Sequence, residues 1–131
     1  LSIADFDTMK TVVIEDLKIT NQQGELKRTL TQVRGILLKD VLSKVEFIYD
    51  KHKELNEIYF LFTAADGYKI VISWNEIFNT DAGNQMYFIT EMDGKKLKDL
   101  DDKILFVATK DNSLGRRFIK GLKTISVKKA L

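Results

Sequence analysis

The chain has 131 residues, of which 44 % are hydrophobic and 31 % charged, and its net charge is +2. That balance belongs to a single globular domain, residues 1–131, with one core. No apolar run approaches the ~18–20 residues of a membrane span, the small net charge excludes a globally basic nucleic-acid binder, and the absence of cysteine excludes disulfides, thiolate nucleophiles and thiolate metal ligands.

Ser2 and Asp5 have capping-box spacing, which predicts a short N-terminal helix. Because Leu1 rather than Met opens the chain, the expectation is that something upstream has been removed, a signal peptide among the readings. Residues 11–19 are rich in β-branched side chains and read as a strand. A turn at Gly24 leads to a return strand over 25–33, where Leu26, Arg28, Leu30 and Gln32 alternate.

The period then changes. Leu38, Val41, Leu42, Val45 and Ile48 or Tyr49 recur three and four apart, which predicts one main amphipathic helix over 35–51. Residues 57–73 hold two apolar runs around Asp66-Gly67, a hairpin signal that favours a type I′ turn. Residues 74–78 suit one helical turn, 79–85 a polar loop and 86–91 a strand, with Asp93-Gly94 as a further turn. Residues 95–103 read as a charged surface segment and 104–109 as a short buried strand. With a last strand ending near Lys128, the expected class is α+β: sheet-dominated mixed sheets with one main helix.

The chemistry-bearing residues are few. His52, the single histidine, falls in a hydrophilic loop with no local nucleophile to serve. The acids at 99–102 do not have calcium-loop spacing. Tyr59, Phe60, Tyr68 and Trp74 suit either a stacking platform or core packing. The exception is the stretch SLGRRFIKGLKTISV, residues 113–127. Residues 110–131 carry seven Lys/Arg and one Asp, a local charge of +6 against −4 over the rest, and this should polarise the field of the molecule. Gly115 allows close backbone approach. Arg117 and Lys120 stand three apart and point the same way if the segment turns helically. One is suited to bidentate phosphate contact and the other to a point-charge contact, while Arg116 is expected to face solvent. A solvated basic turn is the other reading of the same residues.

Four segments resemble, in order, the molybdopterin-binding domain of the sulfite oxidase family, particularly its short secreted-type members. They are RGILLKDVL (34–42), FTAADGYKIVISWNEI (62–77), EMDGKKL (91–97) and LGRRFIKGLKTISV (114–127). The resemblance implies a sulfite-oxidase-like pterin domain, a periplasmic or secreted location, and Arg117 and Lys120 on the basic positions that hold the pterin phosphate. The family's molybdenum is ligated by a cysteine thiolate, and this chain has none. Leu37 replaces a family proline, and the strand at Ile104–Val107 has none of the family's His and Arg. The expectation is therefore a non-catalytic relative without the molybdenum cofactor, binding an anionic small molecule or a protein partner. The alternatives are a cofactor-binding oxidoreductase subunit completed by a partner chain, and a small enzyme built on carboxylates such as Asp66 or Glu76.

Overall fold

The computed structural model describes residues 9–21, 23, 25–96, 99 and 104–130. The expected N-terminal helix and the Gly24 turn lie outside the described residues. The first element is a long bent hairpin. Strands β1 (Val12–Ile14) and β2 (Leu17–Thr20) form its outgoing arm, and β3 (Leu26–Leu30) and β4 (Val33–Leu37) its return. The pairings Val12↔Gly35, Ile14↔Val33, Leu17↔Leu30 and Ile19↔Arg28 share one register. The arms therefore follow one register from Val12 to Ile19, interrupted at Glu15–Asp16 and Thr31–Gln32, and the register shifts only at the tip, where Thr20 pairs with Leu26. Gln32, with φ at 52°, turns the chain there. Asp93 fastens the bend: its carboxylate accepts from the Thr31 N–H at 2.9 Å and the Thr31 hydroxyl at 3.1 Å. Its own N–H donates to the Thr31 carbonyl at 2.7 Å.

The expected main helix is not formed, and the α+β class is corrected with it. Residues 35–37 of that stretch belong to strand β4, paired on both sides, and only α1 (Leu38–Leu42) is helical. The reason is burial. Leu38, Val41 and Leu42 reach the core, but Val45, Ile48 and Tyr49 are 42 %, 99 % and 36 % exposed. Beyond Ser43 the apolar period has nothing to pack against, and most helix stability comes from such packing. The molecule is a small, all-β-like, sheet-dominated domain whose described helices are short.

Strand β5 (Ile58–Ala64) turns into β6 (Lys69–Ser73). This hairpin is present where the Asp66-Gly67 pair places it, but its turn is not type I′. Only Gly67 has positive φ, and the Gly67 N–H donates to the Ala64 carbonyl at 3.0 Å. That is a three-residue loop closed by a left-handed glycine. The mirror-image turn occurs instead at Asp93-Gly94, where both φ angles are positive, 51° and 81°. A two-residue loop there joins β7 (Met86–Met92) to β8 (Lys95–Lys96).

After β6 comes α2 (Trp74–Phe78), capped by the Ser73 hydroxyl, which accepts from the Glu76 N–H at 3.0 Å. Two later strands complete the fold, β9 (Leu105–Ala108) and β10 (Leu122–Lys129). One sheet runs β1-β4-β7-β8, with β9 also on β7; a second runs β10-β5-β6; the β2-β3 ribbon stands as a third. The first two pack face to face. Strand β5 alternates strictly, with Phe60 and Phe62 fully buried. Phe62 meets Phe106 of β9 at 4.9 Å, and Phe106 meets its cross-strand neighbour Phe88 at 5.8 Å. Such ring pairs add about 0.5–1.5 kcal/mol each beyond their buried area. Phe60 is thus a core residue, and Trp74 stacks on Phe78 at 5.3 Å, so the aromatics do not form one stacking platform.

Candidate functional site

The 113–127 stretch divides at Arg117. A single 3₁₀ turn covers Leu114–Arg116, and Ile119 then bridges to Phe106 as extended chain. Helical geometry stops before it could align Arg117 with Lys120, and the two side chains serve different places.

Arg117 is a junction between three parts of the fold. Its Nη1 and Nη2 donate to the two carboxylate oxygens of Glu76 at 2.9 and 2.8 Å. Its Nε and Nη2 donate to the carboxylate of Asp111, the former at 2.7 Å. Glu76 is held in place by the Ser73 cap, and Asp111 by a turn in which its N–H donates to the Ala108 carbonyl at 3.2 Å. The Asp111 hydrogen bonds above all, opposed by partial burial and helped by Glu76, raise the guanidinium above its already high ordinary pKa. Both faces of the fork that could grip a phosphate already hold carboxylates. Sequence had singled out Glu76, though as a catalytic acid; Asp111, in a short polar turn, gave no signal.

Lys120 faces the other way. It lines a groove of about 340 Å³ with Lys27 of β3, Asn21, Asp66, Tyr68 and Phe118. Three chain segments build this groove: the β2-β3 ribbon, the β5-β6 turn and the 114–120 segment. Gly115 lets them meet. A Cβ there would stand 1.5 Å from the Thr20 carbonyl oxygen, so the close approach is between backbones. The Thr20 and Ser113 hydroxyls share a hydrogen bond at 3.1 Å beside it. The Tyr68 hydroxyl donates to the Arg116 carbonyl and so ties the β5-β6 turn to the same segment.

Neither Lys27 nor Lys120 is in an ion pair with a described residue. Asp66, which accepts from the Tyr68 N–H at 3.0 Å, is the groove's acid. Lys27 and Asp66 were invisible as partners of Lys120, because only the fold brings them together. Arg116 is exposed, as expected. The basic segment is also partly neutralised elsewhere: Lys129 donates to Glu54 at 2.7 Å, as Arg117 does to its two acids. His52 opens an exposed 3₁₀ turn, His52–Glu57, with its ring 5.5 Å from Tyr49, and does not line the groove.

No three His, Cys, Asp or Glu side chains converge on a metal position among the described residues, and no described helix is long and apolar enough to cross a membrane. The chain matches no family model, no curated protein and no solved structure.

Proposed function

We propose that this protein is a non-catalytic binding domain for a small phosphate-bearing ligand, held in the groove at Lys27 and Lys120. The observation that carries the reading is the pair of ammonium groups, brought from distant parts of the chain to one groove and left without ion pairs among the described residues. Arg117, the stronger phosphate binder by chemistry, is withdrawn by Glu76 and Asp111. Asn21 adds polar character, and Tyr68 and Phe118 add an aromatic wall. The groove's side chains hold no histidine or thiol to act as base or nucleophile.

The resemblance to the sulfite oxidase pterin domain supports phosphate as the anion, with Lys120 on its basic position. The donor set does not fit that family's molybdenum centre, whose ligand is a thiolate, because the chain has no cysteine.

Each lysine contributes about 1.5–3 kcal/mol as a charge-assisted bond, less the cost of ordering and of water displaced. Binding is therefore expected at roughly 1–10 mM and to weaken with salt. Titration with inorganic phosphate and with a phosphorylated pterin at low salt, followed by amide chemical shifts, tests this. The expected result is shifts at Lys27, Tyr68 and Lys120, a loss of about tenfold in affinity for Lys120→Ala and Lys27→Ala, and none for Arg117→Ala. No shift at these residues, or equal affinity across all variants, would overturn the reading.

A further inference from the structure

The β10-β5-β6 sheet ends on β6, whose far side pairs with no described strand. The hydrogen-bond alternation shows what that edge offers. The Ala64 N–H donates to the Tyr68 carbonyl at 2.8 Å, so Ala64 and Tyr68 are a bonded pair. Bonded and non-bonded pairs alternate along an antiparallel ladder. Ile70 and Ile72 therefore bond to Phe62 and Phe60. The N–H and C=O groups of Lys69 and Val71, and the N–H of Ser73, point away from the sheet. Val71 is 56 % exposed, with Lys69 and Ser73 exposed beside it.

The geometry points to a second copy of this chain as the occupant of that edge, pairing β6 to β6 about a two-fold axis through Val71. With the axis on Val71 all five residues Lys69–Ser73 find a partner in the same segment, whereas an axis on Ile70 or Ile72 pairs only three of them. Val71 meets Val71 of the second copy and exchanges both backbone bonds. Ile70 meets Ile72 and lengthens the apolar face behind the sheet. Lys69 meets Ser73, not lysine, and the two Lys69 positions stand about 13 Å apart along the strands, beyond the ~8 Å screening length at physiological ionic strength. On the outer face, Leu61 and Val71, which are cross-strand neighbours, continue into the same pair of the second copy. The product is one six-stranded sheet. A contact of five residues a side is far smaller than a standard interface of ~800 Å² per partner, so the dimer is a weak one that assembles with concentration.

The test is molecular mass by sedimentation, from micromolar to millimolar protein, with amide exchange of Val71 measured at both ends. The expected result is a rise toward twice the monomer mass and at least tenfold slower Val71 exchange in the concentrated sample. Val71→Lys places two ammonium groups on the axis and should hold the protein monomeric at low salt, with partial recovery at high salt. Val71→Pro removes an N–H that bonds nothing in the monomer, so it should fold and stay monomeric. A monomer at every concentration would overturn the proposal. So would equal Val71 protection in the dilute sample, which would mean that the chain covers its own edge. A dimer that survives both substitutions would place the interface elsewhere and sink the proposal as well.

Discussion

Replacing Arg117 by alanine removes the cation that bridges Glu76 and Asp111. Three of its nitrogens are hydrogen-bonded to the two carboxylates. Its loss leaves those acids facing each other at side-chain exposures of 33 % and 18 %. Breaking a fully buried pair costs about 3–5 kcal/mol; at this exposure water recovers part of it, so the expected loss is about 2–3 kcal/mol. With a urea slope near ~2 kcal/mol/M the unfolding midpoint should fall by roughly 1–1.5 M. Arg117→Lys keeps the charge but not the two-sided fork and should lose about half as much. A cycle of Arg117→Ala with Glu76→Gln should show a coupling above ~1 kcal/mol. The measurement is equilibrium urea unfolding with intrinsic fluorescence. A midpoint within ~0.3 M of wild type, or no coupling in the cycle, would refute the reasoning that Arg117 is a structural junction.

Gly115→Ala forces a methyl group onto the Thr20 carbonyl. It should cost about 1–3 kcal/mol as an overpacked contact and abolish phosphate shifts in the groove; unchanged stability and binding would show that the segments do not meet there. Phe106→Ala, at the seam of the two main sheets and fully buried, should cost about 3–5 kcal/mol in the same assay, and a loss under ~1 kcal/mol would place the core elsewhere. Glu54 accepts from Lys129 and from the N–H groups of Lys51 and Asp50, and these hold its carboxyl down from 4.5 to about 2. Its contribution to stability is complete above the ordinary carboxylate range and is lost as the pH falls through about 2. Lys129→Ala should raise the Glu54 pKa by NMR titration, and a wild-type value near 4.5 would count against the ion pair.

The Ile58–Ala64 strand was legible as an apolar run before a turn dipeptide, though its alternating burial was not; Leu26, Arg28 and Leu30 alternate in sequence, but of these only Leu30 is buried. The helix over 35–51 was misread because local period cannot see burial: Leu38 and Leu42 have a core to reach, whereas Ile48 has none. Two Asp-Gly pairs looked alike, yet only Asp93-Gly94 closes a two-residue loop; the extra residue of the other loop changes which turn fits. The site was half legible. A cation cluster is visible in any sequence, but which cations are spent on carboxylates depends on partners such as Asp111 and Glu76, and on where Lys27 arrives. Those are long-range facts, set by the sheet order.

The local pairing of the bent hairpin has a kinetic consequence. Its pairs close loops that grow in small steps, from Thr20↔Leu26 outward to Val12↔Gly35, whereas β10 joins β5 only by pairs as remote as Ile58↔Lys129. Loop-closure entropy makes the remote pairing about 2 kcal/mol harder to initiate than the first hairpin pair. The ribbon should therefore zip first and β10 should dock last, so that β5 and β6 pass through a stage with both outer edges open. Pulse-labelled amide exchange during refolding should show Ile19 and Arg28 protected before Ser126 and Lys128. Refolding yield should fall with protein concentration in the same interval, because the β5 edge that β10 covers in the finished fold is then open to other chains.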